Sequence, residues 1–169
     1  MQMTEPKIIA RDASAISEIR PYLHLSLRHI APSHLTVLHI PIEDDEQTDL
    51  SPYWQLVFQT IDEQKRLGGK VLIFCGMGIS RSASFVVAYL MCIEKMSLHD
   101  AYKHVQQVRN IICPNVGFFK QMIELEEKLY NKSTVKIIEP MPGVEVADVV
   151  WNELYDELLE EVHKREKIK

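Results

Sequence analysis

The stretch KVLIFCGMGISRSASFVVAYLM, residues 70–91, decides the fold of this chain. It opens with an apolar run, Val71 to Phe74, that has the length and composition of a buried strand. Cys75 and two glycines follow, and after the segment Ser80-Arg81-Ser82 the apolar residues recur at helical spacing. The pattern predicts a strand, a tight loop and the first turn of a helix, with the cysteine where the strand ends.

A loop between a strand and a helix N-terminus forms a natural anion cradle. Its backbone N–H groups converge on one point, and the helix dipole adds positive potential there. A cysteine at the floor of such a cradle is stabilised as a thiolate, and the planar fork of Arg81 matches two phosphate oxygens. The chemistry that this predicts is attack of the thiolate on phosphorus, followed by hydrolysis of the phosphocysteine. The alternative reading of Cys75 is a buried structural thiol.

Composition limits the classes of protein to which the chain can belong. A length of 169 residues fits one domain, and the net charge of −5 gives no support to nucleic-acid binding. No apolar run is long enough to span a bilayer, and the N-terminus lacks the apolar core of a signal peptide. The odd cysteine count predicts reduced thiols in a cytoplasmic or nuclear protein, and the absence of a Cys-x-x-Cys pair argues against a metal site. We expect no cofactor.

The rest of the chain alternates between short strands and helices. We expect one or two strands within residues 16–27, a strand over 35–41 that is buried on both faces, and an acidic loop over 43–49. Helices are predicted over residues 52–67, with Ser51 as the cap, and over 81–94, 97–109, with Ser97 as the cap, and 118–130. Residues 131–146 hold prolines and a glycine and indicate a loose connection. A last helix, 148–167, carries an apolar stripe formed by Trp151, Leu154, Leu158 and Val162.

The motif CGMGISRS resembles the Cys-x5-Arg-Ser loop of the protein tyrosine phosphatases, and GISRSAS is most similar to the small dual-specificity phosphatases. The segment that runs from LHIPIEDDE through GGKVLIF, and the PNVGF turn with its flanking helices, extend the resemblance to residues 16–138. The resemblance implies an α/β fold with a short central mixed sheet flanked by helices. It also implies hydrolysis of phosphotyrosine, and of phosphoserine or phosphothreonine, in phosphorylated proteins.

The resemblance assigns a role to each matching residue of the motif. Cys75 matches the nucleophile, Ser82 the hydroxyl that helps the thiolate to leave, and Asp44 the general acid. Asp45 and Asp49 lie on the same acidic loop, so the residues alone leave the choice of acid open. Asn115 matches a residue that supports the cysteine loop. The phosphate cradle matches a run of six residues: Gly76, Met77, Gly78, Ile79, Ser80 and Arg81.

Two departures from the family pattern favour a second reading, a phosphate-binding scaffold with weak or no turnover. The family usually has histidine before the cysteine, where this chain has Phe74, which offers no hydrogen-bond donor. The segment 25–35 is short, and relatives usually have a helix and a strand there, the strand lying beside the cysteine strand. We therefore expect a catalytic domain over 16–138 with a shortened N-terminal part.

The remaining features carry two readings each. Residues 139–169 form a C-terminal extension whose helix either docks on the domain or contacts a partner through positions 151–162. The histidines His24, His29, His34 and His39 recur every five residues, a period that places them on no common face of a helix or strand. We expect them to be ordinary surface or core histidines rather than metal ligands.

Overall fold

The computed structural model describes residues 16–27, 36–152 and 155 of the chain. Three strands form the central sheet: β1 (Ser17–Arg20), β2 (Leu23–Leu27) and β3 (Val71–Cys75). Four helices follow the acidic loop: α1 (Trp54–Arg66), α2 (Arg81–Glu94), α3 (Leu98–Val108) and α4 (Val116–Tyr130). A hairpin of β4 (Ile137–Met141) and β5 (Val144–Ala147) precedes a helical segment that is described over residues 148–152.

The central sheet has the order β1-β2-β3, with β1 antiparallel to β2 and β2 parallel to β3. The prediction of one or two strands within residues 16–27 is confirmed, with two present, and so is the α/β fold with a short mixed sheet. In the register of the parallel pair, Leu23 lies opposite Val71 and Leu25 opposite Ile73. These four side chains share one face of the sheet and belong to, or pack against, the main hydrophobic core.

Helix α2 forms the centre of that core. Every residue from Ser82 to Met91 is buried, because the helix packs on the sheet and against α1, α3 and α4. The ring of Phe85 meets Trp54 of α1 edge-on at 5.0 Å, and Tyr89 meets Phe58 at 5.9 Å. A helix so enclosed cannot rotate or slide, so its first turn, where the cysteine loop ends, is held in place.

The predicted cap at Ser97 is confirmed, and Asn115 caps α4 in the same way. The Ser97 side chain accepts a hydrogen bond from the N–H of Asp100, and the Asn115 side chain accepts one from the N–H of Phe118. Such caps stabilise a helix by about 1 kcal/mol each. The prediction that Ser51 caps the helix at 52–67 was wrong, because a 3₁₀ turn, Ser51–Tyr53, precedes α1 and makes no side-chain cap.

The strand predicted over residues 35–41 was also wrong. Residues 36–43 form no strand, and the side chains of Val37 and Leu38 are 60% and 51% exposed. A strand is stable only when a neighbouring strand pairs with it, and among the described residues no strand pairs with this segment, although Ile40 packs against the main core. The segment therefore stays irregular despite its β-forming composition.

Residues 131–146 are not the loose connection that their prolines and glycine indicated. They contain the hairpin of β4 and β5, whose turn includes Gly143 at φ +77°. Pro140 lies within β4, which is possible because, within the described part of the chain, this strand pairs on one side only. Val135, Ala147 and Val149 are buried in the main core, so the hairpin is anchored to the domain at both ends.

The C-terminal helix begins near Asp148, as predicted, and Trp151 is half-buried. The other members of the apolar stripe, Leu154, Leu158 and Val162, lie outside the described residues, as do His29 and His34. In the part of the chain that the structure describes, no helix has both the length and the apolarity needed to cross a membrane.

Candidate active site

The cysteine loop connects the end of β3 to the first turn of α2, as the sequence predicts. Gly78 adopts a φ of +67°, and a Cβ atom there would lie 2.5 Å from the carbonyl oxygen of Ser26. Only glycine satisfies both the left-handed backbone and this close approach to β2. The sharp turn directs the loop N–H groups inward, toward the sulfur of Cys75.

The Cys75 sulfur lies at the centre of converging donors. The N–H of Gly78 donates to Sγ at 3.2 Å, and the Ser82 hydroxyl donates to it at 3.1 Å. Burial raises the pKa of the thiol, but the Ser82 hydroxyl and the backbone N–H groups of Ser82, Gly78 and Ile79 outweigh burial. The pKa of Cys75 is therefore held below its ordinary value, as expected for a nucleophile.

We expect Ser82→Ala to raise the pKa of Cys75, because the hydroxyl is the strongest of the donors that lower it. The pH dependence of alkylation by iodoacetamide should then shift to higher pH, with less reactive thiolate at neutral pH. Ser84→Ala is the matched control, because the Ser84 hydroxyl donates to the Ser80 carbonyl and does not contact the sulfur. Superimposable curves for Ser82→Ala and the parent would contradict this account.

Arg81 extends across the loop from the first residue of α2. One Nη donates to the carbonyl oxygen of Ile42 at 3.3 Å, and Nε lies 3.6 Å from Oδ2 of Asp44. That separation is beyond hydrogen-bond range, so Nε is buried with no acceptor among the described residues. A buried guanidinium N–H without an acceptor is costly, and a phosphate oxygen in the cradle would supply one.

Asp44 is the acidic side chain that reaches the cysteine loop. Its Oδ1 accepts hydrogen bonds from the Ser80 hydroxyl at 2.6 Å and from the Asn115 side-chain amide at 3.0 Å. The two other aspartates of this loop make hydrogen bonds away from the site. Asp45 accepts from the N–H of Gln47 and Asp49 from the N–H of Ser51, so both stabilise local turns. The structure thus brings Asp44, and not its neighbours, to the site.

The acidic loop is fixed to helix α4 rather than free in solvent. The Gln121 side chain donates to the Thr48 carbonyl at 2.8 Å and accepts from the N–H of Leu50 at 2.7 Å. At Gly117, a Cβ atom would lie 2.0 Å from the carbonyl oxygen of Glu46, so the loop and the helix backbone are in direct contact. These contacts hold the loop that carries Asp44 against the cradle.

Sequence reasoning missed two contributions to the site. The resemblance implied only that Ser80 is part of the cradle. Its hydroxyl also accepts a hydrogen bond from the N–H of Asn115 and donates one to Asp44. Arg109, after the end of α3, is buried and donates to the carbonyl oxygens of Gly78 and Met77 at 2.9 and 3.1 Å. Nothing near Arg109 in the sequence points to this bracing role, because the contact is made across 31 residues.

These groups line a cavity of about 300 Å³ over the cysteine. Its lining consists of Asp44, Cys75, Met77, Ile79, Ser80, Arg81, Cys113 and Asn115. A thiolate at the floor, a guanidinium at one side and a carboxyl at the rim suit transfer of a phosphoryl group with protonation of the leaving oxygen. Within the described residues, no group of three histidine, cysteine or acidic side chains is arranged to hold a metal ion.

Comparison with known proteins points to one family. The family model described as "Dual specificity phosphatase, catalytic domain" matches residues 5–128. An uncharacterized protein of Caenorhabditis elegans is 49% identical over 179 residues, which cover 93% of this chain and 61% of that protein. Human dual specificity protein phosphatase 14 is 38% identical over 114 residues, covering 68% of this chain and 57% of that protein. The chain thus spans about three fifths of the length of these relatives.

Solved structures agree with this grouping. The crystal structure of human DUSP28 matches with a TM-score of 0.63 at 26% identity, covering 68% of this chain and 94% of that one. That of the human tyrosine phosphatase-like serine/threonine/tyrosine-interacting protein matches with a TM-score of 0.61 at 28% identity, covering 69% and 98%. The alignment with the Caenorhabditis elegans protein is longer than this chain, so that relative has residues inside the matched region that the chain lacks.

Proposed function

Because this chain belongs to the dual-specificity phosphatase family of the protein tyrosine phosphatase superfamily, we propose that it dephosphorylates phosphoproteins through a phosphocysteine intermediate on Cys75. The observation that carries the proposal is the convergence of donors on the Cys75 sulfur, in the same cavity that Arg81 lines with its Nε lacking a hydrogen-bond acceptor among the described residues. A thiolate needs such donors to persist, and an anion needs such a guanidinium to bind.

In the proposed first step, the phosphate of the substrate sits in the loop and Arg81 holds two of its oxygens. The Cys75 thiolate forms a bond to phosphorus while the bond from phosphorus to the leaving oxygen breaks. Asp44, held at the rim by Ser80 and Asn115, donates its proton to that oxygen. The products are the dephosphorylated side chain and the phosphocysteine.

In the second step, water attacks the phosphorus of the phosphocysteine. Asp44 takes a proton from the water, and the bond from phosphorus to sulfur breaks, so that inorganic phosphate and the thiolate are released. The Ser82 hydroxyl, 3.1 Å from the sulfur, stabilises the negative charge that returns to it. The loop, the arginine and the acid are thereby restored for the next turnover.

The test of the proposed function is release of inorganic phosphate from phosphotyrosine, phosphoserine and phosphothreonine peptides, with a chelator present and with the Cys75→Ser protein as the blank. We expect release from the phosphotyrosine peptide and from at least one of the others. Release equal to the blank for every peptide would refute phosphatase activity.

A second function, a phosphate-binding scaffold with little turnover, is favoured by one specific observation. Phe74 stands where the family usually has histidine, so the loop lacks a donor that would fix it. One solved structure similar to this chain is described as phosphatase-like and as an interacting protein. A scaffold would bind the phosphopeptides of the preceding test without releasing phosphate, which separates the two functions directly.

We expect Phe74→His to lower the pKa of Cys75 and to increase the rate of hydrolysis at neutral pH. Side chains of adjacent strand residues point to opposite faces, so the imidazole would act by donating to the loop backbone rather than by touching the sulfur. The measurement is the pH dependence of iodoacetamide alkylation at Cys75, with Phe74→Leu, which has no donor, as the control. Identical curves in equally folded Phe74→His and parent proteins would rule the effect out.

A further inference from the structure

Strand β3 has one free edge among the residues that the structure describes. It pairs with β2 on one side, and no strand pairs with its other side. All five of its residues are half-buried, although the sequence VLIFC is that of a strand enclosed on both sides. An apolar edge without lysine, proline or a bulge within it is a template for strand addition.

The hydrogen-bonding groups of this edge can be identified. The N–H of Val71 donates to the Tyr22 carbonyl of β2 at 2.8 Å. Because successive strand residues direct their N–H and C=O groups to opposite sides, Leu72 and Phe74 direct theirs away from β2. Their side chains lie on the sheet face opposite the one that packs against the main core. Leu72 and Phe74 therefore present both backbone groups and apolar side chains to an incoming strand.

We propose that this edge is a self-association surface, on which β3 of a second copy pairs antiparallel with β3 of the first. With a two-fold axis at Ile73, Leu72 of each copy faces Phe74 of the other, and each such pair exchanges both backbone hydrogen bonds. Every outward N–H and C=O group of Leu72 and Phe74 is then satisfied by the same groups of the second copy. The apolar side chains of Leu72 and Phe74 also pack across the pair.

Charge favours the antiparallel arrangement over the parallel one. Lys70, directly before β3, is exposed, and β3 itself has no charged side chain. Antiparallel pairing puts the two Lys70 ammonium groups at opposite ends of the paired strands, where they do not repel each other. Parallel pairing would put them side by side. Because the contact is confined to one short strand of each copy, we expect a weak dimer that dissociates at micromolar concentration.

Sedimentation velocity of the full chain from low to high micromolar concentration tests the dimer, and it does not depend on phosphatase activity. We expect a monomer–dimer equilibrium, and we expect Leu72→Lys to raise the dissociation constant about tenfold or more, since a lysine protects the edge. Leu129→Lys, at an exposed leucine on α4, is the matched control and should leave the equilibrium unchanged. A chain that stays monomeric, or equal effects of both substitutions, would overturn the proposal.

Cysteine cross-linking provides a second measurement that does not require Leu72→Lys to fold. At the two-fold axis the Cα atoms of Ile73 and Ile73 of the second copy would lie about 4.5 Å apart, within the range of a disulfide. Oxidised Ile73→Cys should therefore form a dimer linked through position 73, as mapped by mass spectrometry. Leu72→Cys, which faces Phe74 instead of itself, should not. Absence of the disulfide between the two copies of position 73, or equally efficient cross-linking of Leu72→Cys, would overturn the proposed register. A protein that stays monomeric and pairs this edge only with a strand of another protein would overturn self-association.

Discussion

Cys75→Ser should reduce phosphate release by roughly 10⁴-fold or more, because a serine hydroxyl is not ionised where a thiolate is. The rest of the cradle does not depend on the sulfur. Arg109 still braces the loop carbonyls, and the Arg81 Nε still lacks a hydrogen-bond acceptor among the described residues. We therefore expect the variant to bind tungstate, a phosphate analogue, with an affinity within a few-fold of the parent. Calorimetric titration measures the binding, and peptide dephosphorylation measures the loss.

The matched control for this substitution is Cys92→Ser, further along the same helix that follows the loop. Burial raises the pKa of Cys92 to about 11, so its thiol is protonated at neutral pH and cannot serve as the nucleophile. We expect Cys92→Ser to keep the parent rate. Turnover by Cys75→Ser within tenfold of the parent would remove Cys75 from the mechanism.

Asp44→Asn should slow hydrolysis of alkyl phosphate esters, such as phosphothreonine peptides, by roughly 10²- to 10⁴-fold. The amide keeps an oxygen that can accept from Ser80 and Asn115, so the loop stays in place while the transferable proton is lost. An aryl phosphate with an acidic phenol as leaving group needs little protonation, so its hydrolysis should fall much less. The ratio of the two losses measures the acid role.

Asp45→Asn is the control for the acid, one position along the same loop. Its carboxylate accepts from the N–H of Gln47 in a local turn and does not line the cavity over Cys75. We expect its effect on turnover to be small and equal for both kinds of substrate. If Asp44→Asn also lost activity equally on alkyl and aryl esters, a structural role for Asp44 would be indicated and the acid role refuted.

The candidate site could be predicted where the residues that form it lie close together in the sequence. The strand, the glycine loop and the helix N-terminus follow one another within residues 70–91, so the sequence alone singled out Cys75 and Arg81 as candidate residues. Asp44 required the resemblance, because the residues alone left Asp45 and Asp49 as alternatives. Only the structure separates the three, through the hydrogen bonds that the latter two make to their own turns.

The failures concern contacts between distant segments. Residues 36–41 have the composition of a strand, but strand formation depends on a neighbour that local sequence does not reveal. The hairpin of β4 and β5 was missed because its prolines and Gly143 resemble a linker, whereas its stability comes from Val135, Ala147 and Val149 in the core. Arg109 was missed for the same reason, since its partners lie in a loop distant in sequence.

The attachment of the acidic loop to α4 has a consequence for the timing of the proposed reaction. Gln121 and the contact at Gly117 hold the loop before any substrate arrives. The conformational entropy of the loop is therefore lost when the protein folds and not when the substrate binds. Among the described residues, the loop that carries Asp44 therefore needs no closing movement after a phosphate ester binds and no reopening movement before the product leaves. The maximal rate should then report bond making and breaking at phosphorus, and should be insensitive to solvent viscosity.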